Sequence, residues 1–153
     1  MEYPYHSKRI DLRFDILLIK RRIIKIMKRK IIATEKAPVA VGAYSQGMKI
    51  GKFVFTSGQL PINPKTGEMP ATIEEQTAQS LKNVSAILED AGSSLDQAIK
   101  LTVFLQDIND FAAMNEVYAS FFTGEAPCRS AVEVAAIPKG AKVEIEAIAL
   151  ISE

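Results

Sequence analysis

Residues 143–151 read Val143-Glu144-Ile145-Glu146-Ala147-Ile148-Ala149-Leu150-Ile151. Successive side chains of a strand point to opposite faces. Val143, Ile145, Ala147, Ala149 and Ile151 therefore share one face, which is wholly apolar. Glu144, Glu146, Ile148 and Leu150 share the other, which turns from acidic to apolar along the strand. A strand with apolar side chains on both faces belongs to a sheet that needs cover on both.

Upstream, two segments supply cover for one face. Thr72-Ile73-Glu74-Glu75 has the pattern of a capping box at a helix start. Ile73, Thr77, Leu81, Val84, Leu88 and Ala91 then follow at helical spacing, and Gly92 supplies a left-handed stop. A second helix, capped by Asn109 or Asp110 and ended by Gly124, places Phe111, Asn115, Tyr118 and Phe122 on one face. Around these helices, Tyr44–Ile50 and Phe53–Ser57 read as strands joined by a Gly51-Lys52 turn. Residues 60–70 hold three prolines and Gly67 and read as a loop. Ile99–Asp107 reads as a strand. Ser130–Ile137 and the strand at 143–151 read as a second hairpin across Pro138-Lys139-Gly140. The fold class is α+β: a single mixed sheet with two helices on one face. Two helices leave the other face bare, and a bare apolar face implies a homo-oligomer.

The chain has 153 residues, 48% hydrophobic and 24% charged, enough for one core without staples. Its single cysteine, Cys128, allows no intramolecular disulfide, which fits a reducing, cytoplasmic setting. The net charge of +1 conceals an asymmetry. Residues 1–30 carry ten Lys or Arg against three acids, whereas residues 31–153 carry nine against fifteen acids. An acidic domain gives a nucleic-acid backbone no broad basic face, so no nucleic-acid partner is expected.

Residues 1–26 read as an N-terminal basic extension and residues 27–153 as the domain. The apolar run Ile16–Ile19 is too short to span a bilayer, and no signal-peptide pattern is present, so no membrane partner is expected. The extension reads as upstream sequence before a start at Met27, as a disordered or loosely helical tail, or as a targeting or membrane-surface segment.

The only histidine is His6, so the domain offers no Ser-His or Cys-His nucleophile and no ordinary zinc site. No phosphate-binding glycine motif occurs. What remains can hold a carboxylate and place a water, which suits a substrate that is already electrophilic. Arg129 is the only arginine after residue 29, and its planar fork matches a carboxylate. It is alternatively a surface ion pair with Glu125 or Glu133. Glu144 and Glu146 both fall on the non-helix face, where a carboxylate near a subunit seam could orient water. Tyr44 lies beside Gly42, Ala43 and Gly47, where backbone approaches closely. Ser57-Gly58 ends a strand with N–H groups suited to an anion. Asn115 needs partners on its apolar stripe. Cys128, beside Arg129, reads as a small loop thiol or as one with a lowered pKa.

These residues fall in six segments in order: Gly-Ala-Tyr-Ser-Gln-Gly at 42–47, Phe-Thr-Ser-Gly-Gln at 55–59, Asn-Pro-Lys-Thr-Gly at 63–67, Asn-Asp-Phe-Ala-Ala-Met-Asn at 109–115, Pro-Cys-Arg-Ser at 127–130, and Pro-Lys-Gly-Ala-Lys-Val-Glu-Ile-Glu-Ala-Ile-Ala at 138–149. The set resembles the RidA (YjgF-type) reactive intermediate deaminase family. The resemblance covers residues 27–153 and implies a chorismate-mutase-like fold assembled as a trimer, with sites between subunits. It implies hydrolysis of 2-iminobutanoate and 2-iminopropanoate to 2-oxo acids and ammonia, without a cofactor. Arg129 matches the arginine that grips the substrate carboxylate, and Glu144 the glutamate that places the attacking water. Tyr44, Ser57, Gly58 and Asn115 match pocket residues. Ala131 stands where many members have Cys and the backbone carbonyl is used; Ala43 stands where many have Pro. Two other readings are an RNA-cleaving translation inhibitor and a non-catalytic, small-carboxylate-binding or chaperone-like trimer.

Overall fold

A computed structural model of the chain describes residues 16–21 and 28–151. Six strands, β1 (Lys30–Ile32), β2 (Gly47–Ile50), β3 (Phe53–Thr56), β4 (Ala98–Leu105), β5 (Cys128–Glu133) and β6 (Val143–Leu150), form one mixed sheet in the order β1-β2-β3-β6-β4-β5. Three helical stretches accompany it: α1 (16–21), α2 (Ile73–Asp90) and α3 (Phe111–Ser120). Most of the extension lies outside the described residues; within it, Ile16 to Ile19 of α1 are exposed.

The alternation at 143–151 divides the sheet. Val143, Ile145, Ala147 and Ala149 of β6 are buried, with Leu101, Val103 and Leu105 of β4 beside them. They join one core cluster with Leu81, Val84 and Leu88 of α2 and Met114 and Tyr118 of α3. Thr72 caps α2 by accepting a hydrogen bond from the Glu75 N–H at 3.2 Å; no return bond from the Glu75 carboxylate forms among the described residues, so the box is half made. At the other end Gly92 (φ +85°) donates to Glu89 O, and Ser93 N–H donates to Leu88 O at 2.8 Å. This pair of bonds closes the last turn on the left-handed glycine.

The opposite face carries Phe53 (44% exposed), Phe55 (41%) and Leu150 (42%). Phe53 pairs with Leu150 and Phe55 with Ile148 across β3 and β6, so the apolar surface is continuous.

Several expectations need correction. β5 and β6 do not form a hairpin. β5 runs parallel to β4 at the sheet edge, and β6 inserts antiparallel between β3 and β4. Short spacing suggested a direct turn, but Pro138–Gly140 is one turn of 3-10 helix with Lys139 at φ +59°, and it redirects the chain. An edge strand at Lys30–Ile32 pairs with β2 and was not expected. The second helix is preceded by a 3-10 turn whose N-cap is Asp107, accepting from the Asn109 N–H at 2.9 Å; neither Asn109 nor Asp110 caps with its side chain. It ends at Ser120, before Gly124. β2 starts at Gly47 rather than Tyr44, because Gln46 is committed elsewhere.

Candidate functional site

Two cavities hold the candidate residues, one on each side of the sheet. The first, about 550 Å³, is walled by Tyr44, Ser57, Gly58 and Glu144, with Leu60 and Ile62 as apolar lining. The second, about 350 Å³, is walled by Asn115, Tyr118, Phe122, Pro127 and Arg129.

The first cavity is built where β3 ends. Gln59 exchanges backbone hydrogen bonds with Ile145, at 2.8 and 3.2 Å, which continues the β3–β6 pairing past Gly58. Gly58 is thereby pressed against Glu144. A Cβ at residue 58 would overlap the Glu144 carboxylate, so glycine leaves the room that the acid occupies. Ser57 has little to offer as a donor: its N–H goes to Gln46 O at 2.9 Å and its hydroxyl to Ser45 O at 2.6 Å. Of the two N–H groups expected to meet an anion, Gly58 alone keeps its own. Glu144 is half-buried, and burial raises its carboxyl above the ordinary value; Glu146, on the same face, adds to the rise. Tyr44 is 52% exposed on a strap that Gln46 ties down. The Gln46 amide accepts from Thr34 N–H at 2.6 Å and donates to the carbonyls of Thr34, Ala37 and Pro38.

The second cavity is built between β5 and α3. The register pairs Arg129 with Leu101 and Ala131 with Val103, so both face the helices. The Arg129 Nη1 donates to the Asn115 Oδ1 at 2.8 Å. Its guanidinium carbon stands 4.6 Å from the centre of the Tyr118 ring and 5.5 Å from that of Phe111. Among the described residues no carboxylate pairs with it. The Glu133 carboxylate instead accepts from the Ile108 N–H. The surface ion pair with Glu125 or Glu133 is thus not formed. Burial holds the Tyr118 phenol above its ordinary pKa, against the opposing pull of Arg129, so this partner stays neutral.

Ala131 lines neither cavity. Bonding along a parallel strand alternates between its two sides. Val134 N–H donates to Leu105 O, which turns the N–H and C=O of Ala131 off the open edge of β5. Cys128 is exposed on the opposite face, paired in register with Lys100.

Glu144 and Arg129 therefore do not meet within one chain. They lie on opposite faces of the sheet, with β4 between their strands. Tyr44, Ser57, Gly58 and Glu144 come together; Asn115 and Arg129 come together. The sequence pattern predicts Phe111 and Tyr118 on the Asn115 face of the helix, and does not predict that the arginine lies against that face. The spacing of 111, 115 and 118 groups these three on one face of α3, but the place of the arginine against them is set by the register of β5 with β4.

A family profile described as Endoribonuclease L-PSP matches residues 34–151. The 2-iminobutanoate/2-iminopropanoate deaminase of Escherichia coli K12 is 54% identical over 124 residues, covering 79% of this chain and 97% of that protein. A RutC family protein of Pyrococcus abyssi is 52% identical over 124 residues, covering 80% of this chain and 98% of that protein. The crystal structure of E. coli TdcF with bound serine superposes with a TM-score of 0.78 at 52% identity, over 80% of this chain and 99% of that one. The family match and these likenesses together place the chain in the Endoribonuclease L-PSP family, the family of the YjgF- and RidA-type deaminases.

Proposed function

We propose that this protein hydrolyses reactive 2-imino acids, 2-iminobutanoate and 2-iminopropanoate, to 2-oxo acids and ammonia. The observation that carries the reading is the state of Arg129. A guanidinium held by one amide oxygen and two aromatic rings, with no acid beside it among the described residues, has N–H groups left for an anion. The substrate's carboxylate is that anion.

The site forms between two copies of the chain. One copy supplies Arg129 and Asn115, with the Ala131 carbonyl on the adjacent strand edge. Its neighbour supplies Glu144, Tyr44, Ser57 and Gly58. A small substrate cannot touch both sheet faces of one chain, and the apolar face of Phe53, Phe55, Ile148 and Leu150 gives the copies a surface to share. The assembly is a homotrimer of chorismate-mutase-like subunits. Glu144 and the Ala131 carbonyl hold a water against the imine carbon. As the water adds to the imine carbon, one of its protons passes through the Glu144 carboxylate to the imine nitrogen, and a tetrahedral amino alcohol forms. The hydroxyl proton then passes through Glu144 to the amino nitrogen, the C–N bond breaks, and ammonia leaves as the carbonyl forms. Positioning supplies most of the rate, because the imine is already electrophilic. The domain works in the cytoplasm without a cofactor; among the described residues no helix is long and apolar enough to cross a membrane. The RNA-cleaving reading gains nothing here, since a histidine-free acidic domain lacks both the usual base and a basic track.

A coupled assay tests the activity. Threonine dehydratase generates the imine, and 2-oxobutanoate release is followed with and without this protein. Faster release supports the reading, and an unchanged rate overturns it. The domain boundary is tested by removing residues 1–26: we expect unchanged turnover and folding, and aggregation would show that the extension belongs to the structure.

A further inference from the structure

Arg129 rests on α3 through three residues of one face, Phe111, Asn115 and Tyr118, at i, i+4 and i+7. The two rings are not equivalent. Phe111 is 37% exposed and 5.5 Å away; Tyr118 is 4% exposed and 4.6 Å away. A cation over a ring gains most where water is excluded, so the Tyr118 contact is the stronger. Asn115 fixes one nitrogen of the guanidinium, and one bond leaves rotation about that bond free. A ring face against the planar group removes that freedom. The Tyr118 hydroxyl takes no part: Oη is buried and has no hydrogen-bond partner among the described residues.

We propose that Tyr118 is a positioning residue for the carboxylate-binding arginine: its buried ring face sets the plane of the Arg129 guanidinium, so that the remaining N–H groups meet a carboxylate in two parallel hydrogen bonds. The inference rests on the imine-hydrolase reading for its catalytic consequence, and on the ring geometry alone for its structural one.

Tyr118→Phe and Tyr118→Leu separate the ring from the hydroxyl. Phe keeps the ring and discards a hydroxyl that bonds to nothing, so kcat/KM should stay within about threefold of the parent. Leu keeps the bulk and loses the ring; kcat/KM should fall about ten- to thirty-fold, chiefly through KM. A purely structural defect would instead lower the active fraction and so kcat, leaving KM alone. Equal activity of the Leu and Phe variants, or a Phe variant as poor as Leu, overturns the proposal. A second measurement needs no Tyr118 variant and no turnover. In the 1H–15N spectrum of the parent protein, the Arg129 Nε–H signal is assigned by its loss in Arg129→Lys. Ring current should move it upfield of the other arginine signals. Failure of the wild type to hydrolyse imine would sink the functional reading and leave this shift to decide Tyr118 alone; an Arg129 signal lying among the others would overturn the positioning role.

Discussion

Among the described residues Arg129 has no acid beside it, and that fact governs what its replacement should do. Lys keeps the charge but loses the planar fork, the hydrogen bond from Nη1 to Asn115 and the close contact of the guanidinium with the Tyr118 ring. Losing charge-assisted hydrogen bonds that fix the reacting geometry costs about 2–4 kcal/mol, so Arg129→Lys should lower catalytic efficiency about 30- to 1,000-fold. No ion pair is broken, so thermal stability should change little, and turnover and melting measured together check both halves. Glu144 makes the opposite case, an acid held above its ordinary pKa by burial and by Glu146. Its folded-state pKa exceeds the unfolded one, so the fold favours the protonated form. Below the ordinary glutamate value, about 4.3, both states are protonated and nothing is lost. As pH rises through the raised value the carboxylate forms at a cost to stability. Glu144→Gln should therefore melt like the parent near pH 4 and higher than the parent at pH 7, while losing turnover. The parent's kcat/KM should fall on the acid side at a pH above the ordinary carboxylate range. A parent that outlasts the Gln variant at pH 7 would show that Glu144 finds a stabilising partner in the assembly.

At the scale of elements, the strap at residues 37–46 is the part whose order depends on one side chain. Gln46 is 4% exposed and spends its amide on Thr34 and on the carbonyls of Ala37 and Pro38. Gln46→Ala leaves those backbone groups unpaired in a dry place, at a cost of about 1–3 kcal/mol. A urea melt should show the lower midpoint, and turnover should fall as Tyr44 loses its support. The same residue explains a limit of sequence reading. Periodicity made α2 legible in detail, because its stripe, cap and terminal glycine are all local signals. It extended β2 to Tyr44 because Tyr44-Ser45-Gln46 looks like strand; the hydrogen bonds that end the strand come from residues 8 to 12 positions away. The false hairpin has the same origin. Three residues of turn chemistry at 138–140 are local, whereas insertion of β6 between β3 and β4 is decided by which edges remain open once β4 and β5 pair in parallel. Of the site, the residue types were readable one by one. Their grouping was not, because the face that β5 presents depends on its register with β4.

The molecule as a whole has its candidate site residues divided between two faces of one sheet. If a site needs Arg129 of one copy and Glu144 of another, a monomer cannot work, and the bare face of Phe53, Phe55, Ile148 and Leu150 gives a reason why the chain would not remain one. Light scattering at micromolar concentration should give the mass of three chains. Stoichiometry alone does not show that sites are shared, but a mixing experiment does. Arg129→Lys and Glu144→Gln should each keep a few per cent of wild-type turnover or less as pure proteins. Mixed in equal amounts and allowed to exchange subunits, they form sites at random. A site regains both groups when the arginine-supplying copy is the Gln variant and its neighbour is the Lys variant, which for a closed ring happens in about one case in four. Turnover should recover to about a quarter of the wild-type value per site, and each pure variant taken through the same exchange should stay at its own low level. A mixture no better than the average of its components, with exchange verified by mass spectrometry of differently labelled chains, would return Glu144 and Arg129 to a single chain and require one of them to leave the face on which it lies.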